Sequence, residues 1–170
     1  MKALMKMTVL VLTGWLVVSC SITYGFTGSS IEYDKVSSIS IKDFPNIAPL
    51  GYAPLAQQFT EALIDKYTRQ TKLRILREGG DMDIEGEITG YSLMPLAVSE
   101  NTYAAQTRLT ITVRVRFTNK TDPDKDFERT FSAKSEFDNV YTFDQVQDEL
   151  NNVITKEIID LIYNATVATW

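Results

Sequence analysis

The sequence predicts an α/β two-layer sandwich: a sheet of about four strands, mostly antiparallel, with two amphipathic helices packed on one face. Three observations predict it. Thr107 to Asn119, "TRLTITVRVRFTN", alternates apolar and polar residues without a break. Two other stretches carry apolar residues at helical spacing. The elements run strand, helix, strands, helix, so a sheet with one apolar face has two helices available to cover it.

Val36 to Phe44 holds the first strand, with Ile39 and Ile41 alternating against Ser38, Ser40 and Lys42. Three prolines in "PNIAPLGYAP" make the next stretch a loop. Pro54 to Gln70 is helical, because Leu55, Phe59, Ala62, Leu63 and Tyr67 fall on one face. Leu73 to Leu76 is a short apolar run read as a brief strand, and Gly79-Gly80-Asp81 is a turn. Met82 to Leu93 is a strand with Met82, Ile84 and Ile88 on one side and Asp83, Glu85, Glu87 and Thr89 on the other. After a loop at 99–106 comes the alternating strand: Leu109, Ile111, Val113, Val115 and Phe117 point in, and Arg108, Thr110, Thr112, Arg114 and Arg116 point out. Asp126 to Phe137 is a further strand, with Phe127, Phe131, Ala133 and Phe137 inward. Phe143 to Ala168 is a long helix whose apolar stripe includes Val146, Leu150, Val153, Ile154, Ile158, Leu161 and Ile162.

A hairpin centred in loop 99–106 places Ile88 opposite Phe117 and Ser92 opposite Val113 on the inner side. On the outer side it places Tyr91 opposite Arg114 and Thr89 opposite Arg116; a two-residue shift puts Glu87 opposite Arg116. The outer sheet face is polar and has no cover of its own.

Composition excludes several chemistries. The chain has no histidine, which removes Ser-His-Asp and Cys-His catalysis and any His-ligated metal. Its single cysteine rules out an internal disulfide framework. A net charge of −5 argues against a nucleic-acid partner. Asp122, Asp124 and Asp126 begin like a calcium loop, but Phe127 and Ala133 stand where that loop needs Gly and Glu. Asp83, Glu85 and Glu87 sit at plain i, i+2 spacing with arginines near, which reads as a solvated strand face rather than a catalytic carboxylate pair. No cofactor motif is present, and neither a cofactor nor a metal is expected.

The cysteine explains itself by position. Lys2 and Lys6 precede an apolar run from Met7 to Val18, which closes in Val17-Val18-Ser19-Cys20. The run is too short to span a bilayer, which takes roughly 20 apolar residues. Positive start, apolar middle and small-residue end read as an export signal over 1–19. Val17 at −3 with Cys20 after the cut resembles the bacterial lipobox, whose thiol carries diacylglycerol. Loss of Lys2 and Lys6 takes the net charge from −5 to −5 − 2 = −7. Residues 20–34, rich in Ser, Thr and Gly, read as a lipid-anchored tether, and 35–170 as a single domain. Ser21 after the cysteine, with no acidic cluster following, resembles lipoproteins sent to the outer membrane with a periplasm-facing body.

"ISIKDFPNIAPL", "QQFTEALIDKYTRQTKL", "IEGEITGYSLMPLAV" and "RLTITVRVRFTN", in that order behind a lipobox, resemble the LptE family of lipopolysaccharide-assembly lipoproteins in its Bacteroides-like form. The resemblance runs over Cys20 to Trp170. It implies a non-enzymatic outer-membrane lipoprotein that sits as a plug in the β-barrel LptD, helps it assemble, and serves lipopolysaccharide insertion into the outer leaflet. It also implies lipopolysaccharide contact through basic residues. Arg114 and Arg116, with Arg108 and Lys134 behind them, are the candidates in this chain, because Arg offers bidentate contacts to phosphate. The alternative for these residues is a solvated face balanced by cross-strand acids. The alternative for the whole chain is a free-standing lipoprotein that binds a glycan or glycolipid.

Overall fold

A computed structural model describes residues 31, 33–96 and 105–167. The export signal 1–19, Cys20 and the tether as far as residue 30 lie outside the described residues, as do 32, 97–104, which include 99–104 of the expected loop, and 168–170.

The described chain is an α/β sandwich. Its elements are β1 (Ser38–Ile41), α1 (Leu55–Gln70), β2 (Arg74–Leu76), β3 (Met82–Pro95), β4 (Gln106–Asn119), β5 (Phe127–Asp138) and α2 (Phe143–Thr166). They form one five-stranded mixed sheet in the order β2-β1-β3-β4-β5. The sheet has one strand more than expected and two parallel pairings, β1 with β2 and β1 with β3. The fifth strand is the brief run read at 73–76, which forms over Arg74–Leu76 and joins the sheet. It lies parallel to β1 because α1 forms the crossover that parallel neighbours require. β3, β4 and β5 make an antiparallel meander.

Both helices cover the same sheet face. The core takes Leu55, Phe59, Leu63 and Tyr67 from α1, and Leu150, Ile154, Ile158 and Ile162 from α2. Against them lie Ile39, Ile84, Ile88, Leu109, Ile111, Val113 and Val115, each 0% exposed. Thr142 and Gln145 form a capping box that starts α2. Phe44 leaves β1 but stays buried, with its N–H donating to Thr60 Oγ1 at 3.0 Å and its ring 5.2 Å from that of Phe59.

Three expectations are corrected. The β3–β4 register pairs Ile84 with Phe117 and Ile88 with Val113, four residues from the expected pairing, because the hairpin turns earlier in the sequence. The register then shifts between Ile88 and Gly90, a bulge at Thr89 that reverses the faces of the residues after it. Tyr91 therefore points into the core opposite Ile111, and Ser92 points out. On α2, Val153 and Leu161 face solvent at 50% and 41% exposure. The helix is rotated so that Asn151, Thr155 and Ile159 share the buried side with Leu150 and Ile154. Phe127, Phe131 and Phe137 are only partly buried, because β5 is the edge strand of the sheet among the described residues.

Candidate docking face

Among the described residues no helix lies on the second face of the sheet. Its residues follow from strand alternation: Asp83, Glu85 and Glu87 on β3; Arg108, Thr110, Thr112, Arg114 and Arg116 on β4; Glu128, Thr130, Ser132, Lys134 and Glu136 on β5. Lys42 and Lys120 flank them. All four basic residues singled out in the sequence thus lie on this one face.

Most of the charges on it are paired. Arg114 bonds Glu87. Arg116 lies 3.6 Å from Glu85, whose other oxygen accepts from Lys42 Nζ at 2.6 Å. Lys120 stands 3.0 Å from Asp83. Arg108 donates twice to Glu136 Oε1, from Nε at 2.9 Å and from a terminal nitrogen at 2.6 Å. The Lys42 hydrogen bond, then its charge and that of Arg116, hold the Glu85 carboxyl below its usual range. The Glu87 hydrogen bond and charge hold Arg114 above its ordinary value. Among the described residues Lys134 is the one of the four candidates outside any ion pair.

Exposed pairs of this kind each contribute about 0–1 kcal/mol, so they do little for stability. Their consequence is electrostatic. The face is close to neutral, with cations and anions interleaved. The acidity of the chain lies instead on the helix layer, where α2 carries Asp144, Asp148, Glu149, Glu157 and Asp160 against Lys156. The alternation in the sequence made the outward arginines visible, but their partners depend on the hairpin register. The expected pairings of Tyr91 with Arg114 and Thr89 with Arg116 are replaced by Glu87 with Arg114 and Glu85 with Arg116.

A second surface feature lies at one end of the sheet. Chain entry is at the opposite end, where Ile31 lines a groove with Val36, Met82 and Asn119. At the far end Leu50, Leu93, Met94, Val140 and Tyr141 are exposed between 38% and 82%. Sequence reasoning missed this cluster because its members come from three separate loops and strand ends. Among the described residues no helix is long and apolar enough to cross a membrane.

The family model for LptE, lipopolysaccharide-assembly, matches residues 36–166. The chain belongs to the LptE family. Solved structures similar to this LptE-family chain include a hypothetical protein from Chlamydia trachomatis, at 11% identity and TM-score 0.50, covering 78% of this chain and 99% of that one. A minor lipoprotein from Acinetobacter baumannii matches at 12% identity and TM-score 0.48, covering 77% and 90%. The rare lipoprotein B from Shewanella oneidensis matches at 9% identity and TM-score 0.45, covering 74% and 89%. At these identities the likeness concerns the fold. No curated protein matches the chain. The matched span of the LptE family takes in every strand and both helices, and so the whole of the docking face.

Proposed function

We propose that the chain is a non-enzymatic outer-membrane lipoprotein, anchored through lipid on Cys20 and facing the periplasm, that plugs an LptD-like β-barrel and supports its assembly for lipopolysaccharide insertion. The observation that carries the reading is the uncovered sheet face. Barrel lumens are polar. A near-neutral face with most of its charges already paired brings few bare charges into one, and its Thr and Ser hydroxyls add hydrogen-bonding capacity between the ion pairs.

Orientation follows from the same geometry. Chain entry lies at the Met82–Asn119 end. A strand of 14 residues such as β3 spans about 46 Å at ~3.3 Å per residue. The apolar end with Leu50, Leu93 and Met94 is therefore the end remote from the anchor, and the plug enters the lumen with that end leading. Lipopolysaccharide contact through Arg108, Arg114, Arg116 and Lys134 belongs to the same proposal. At the three arginines, ligand phosphate competes with Glu136, Glu87 and Glu85; at Lys134 it meets a cation with no such competitor.

The test is affinity purification of tagged protein from detergent-solubilised outer membranes, wild type beside Thr112→Trp, which places a bulky ring in the middle of the outer face. Near-equimolar recovery of one large β-barrel with the wild type, and its loss with the variant, is the expected result. Recovery of the wild-type protein alone, under conditions that preserve other barrel complexes, overturns the plug reading in favour of a free-standing binder of glycan or glycolipid.

A further inference from the structure

We propose that β5 is a self-association edge: two copies of this chain join β5 to β5 antiparallel about Phe131, with Glu128 of each facing Lys134 of the other.

Among the described residues the edge is open and regular. β5 ends the strand order, and its register against β4 holds without a shift from Gln106↔Asp138 to Phe117↔Phe127. It runs 12 residues with no proline and no glycine, whereas the opposite edge, β2, is only 3 residues long. Sheet edges that must stay single are usually shortened, bulged, covered, broken by proline or studded with charge. β2 is short; β5 has only its charges, and these are of both signs.

The backbone fixes which residues bond outward. Asn139 N–H donates to Ala105 O at 2.9 Å, so residue 139 bonds toward β4. In an antiparallel ladder alternate residues bond to the same side. The odd-numbered residues of β5 therefore bond to β4. The even-numbered ones, Glu128, Thr130, Ser132, Lys134 and Glu136, turn their N–H and C=O to the open edge. These same residues carry their side chains on the outer sheet face.

Within the strand that row is self-complementary in one register; Asp126, level with Glu136 there, precedes β5 and is turned back to accept from the Asn119 N–H at 2.7 Å. With Phe131 on the two-fold axis, Glu128 stands opposite Lys134 twice and Thr130 opposite Ser132 twice. Opposite charges and paired hydroxyls are the favourable cross-strand neighbours. The next register in one direction sets Glu128 against Glu136. The next in the other leaves Glu128 against Ser132. Lys134 is the candidate cation with no ion pair among the described residues, so the contact supplies its missing partner. On the helix side Phe131 meets its own copy. Toward the C-terminal end of β5, Val153 is 50% exposed in a groove with Phe137 and Tyr141, apolar surface next to the same edge. A two-fold axis needs a patch complementary to itself, and this row has that property.

The experiment is light-scattering mass determination across a concentration series, on full-length detergent-purified protein without any barrel, so its outcome is independent of the proposed plug role. The variants are Lys134→Glu and the double swap Glu128→Lys with Lys134→Glu, both at exposed positions, with far-UV circular dichroism confirming the fold. The expected result is a wild-type dimer, weakening on the order of tenfold or more in Lys134→Glu because two attractive pairs become repulsive, and recovery in the double swap. A wild-type chain monomeric at its highest soluble concentration overturns the proposal. So does a dimer indifferent to Lys134→Glu, or one that the double swap fails to restore.

Discussion

The Tyr67 hydroxyl, buried in α1, is hydrogen-bonded to Thr166 Oγ1 in the last turn of α2, and this bond joins the two helices inside the core. Thr166 Oγ1 passes its own proton back to the Ile162 carbonyl at 3.0 Å. The two partners are therefore unequal. Tyr67→Phe removes a donor and leaves Thr166 still bonded, at a cost of about 1 kcal/mol. Thr166→Val strands the Tyr67 O–H in an apolar interior, costing ~1–3 kcal/mol. Chemical denaturation of both single variants and the double should show Thr166→Val as the worse single change. The double should cost less than the sum.

The same burial fixes the alkaline behaviour of the protein. Desolvation raises the folded Tyr67 pKa well above its ordinary value of 10.0. The folded state then holds this proton more tightly than the unfolded chain does. The stabilisation is complete below pH 10 and is lost as pH climbs from there toward the folded pKa. The denaturation midpoint should fall above about pH 10, and Tyr67→Phe should flatten that decline. Some slope should remain, because burial also raises Tyr163.

How much of this was legible differs by element. β4 was readable in full, since one apolar face against one polar face leaves no second arrangement. α2 was readable as a helix but not in its rotation. Val153 and Leu161 belong to an apolar stripe that overlaps the true buried side, and the polar Asn151 and Thr155 hide that side from a hydrophobicity count. Tyr91 was misplaced because one extra residue at Thr89 inverts all that follows, and nothing in "GEITGYS" marks which residue bulges. The docking face was legible as a row of outward arginines. Their neutralisation by specific acids was not, because it depends on a register that loop length alone does not fix.

Gly86 shows what alternation hides. It occupies an inward position between Ile84 and Ile88, and a Cβ there would run into the Arg114 carbonyl and come within 2.5 Å of Phe44 Cε1. The missing side chain is what admits the Phe44 ring over the sheet. Gly86→Ala should destabilise by about 1–3 kcal/mol through overpacking. Combined with Phe44→Leu, it should cost less than the two single changes added, because the smaller residue vacates the contested space. Additive costs in a double-mutant cycle would disconnect the two.

Asp81 governs the acid limb. Its carboxylate accepts from the Ser37 N–H at 2.9 Å, the Ser38 hydroxyl at 2.9 Å, the Ser37 hydroxyl at 3.1 Å and the Ser38 N–H at 3.0 Å, pinning the start of β1 beside β3. These bonds, led by the Ser37 N–H, lower its pKa from the ordinary 3.8. A lowered folded value means stability that is present above that ordinary value and lost as pH falls through the folded one. Asp81→Asn should therefore be less stable than wild type at neutral pH. The gap should narrow once the medium is acid enough to protonate the wild-type carboxyl. Thermal melts across pH 7 to about 3 check both parts. A gap that stays constant would assign the effect to amide geometry rather than to charge.

Asn151 runs against the logic of the core around it. It is 1% exposed on the buried side of α2, and neither its amide nitrogen nor its amide oxygen has a hydrogen-bond partner among the described residues. A buried polar group left unpaired costs about 1–3 kcal/mol, whereas an apolar side chain of similar size has no such penalty. Asn151→Leu should raise the denaturation midpoint, with the m-value unchanged because the surface exposed on unfolding stays nearly the same. The neighbouring Thr155, also on the buried side, serves as a control position, since Thr155→Val tests the loss of a polar group there separately. A lower midpoint for Asn151→Leu would mean that the amide is satisfied by an ordered water between the layers, and that its retention in the core is structural.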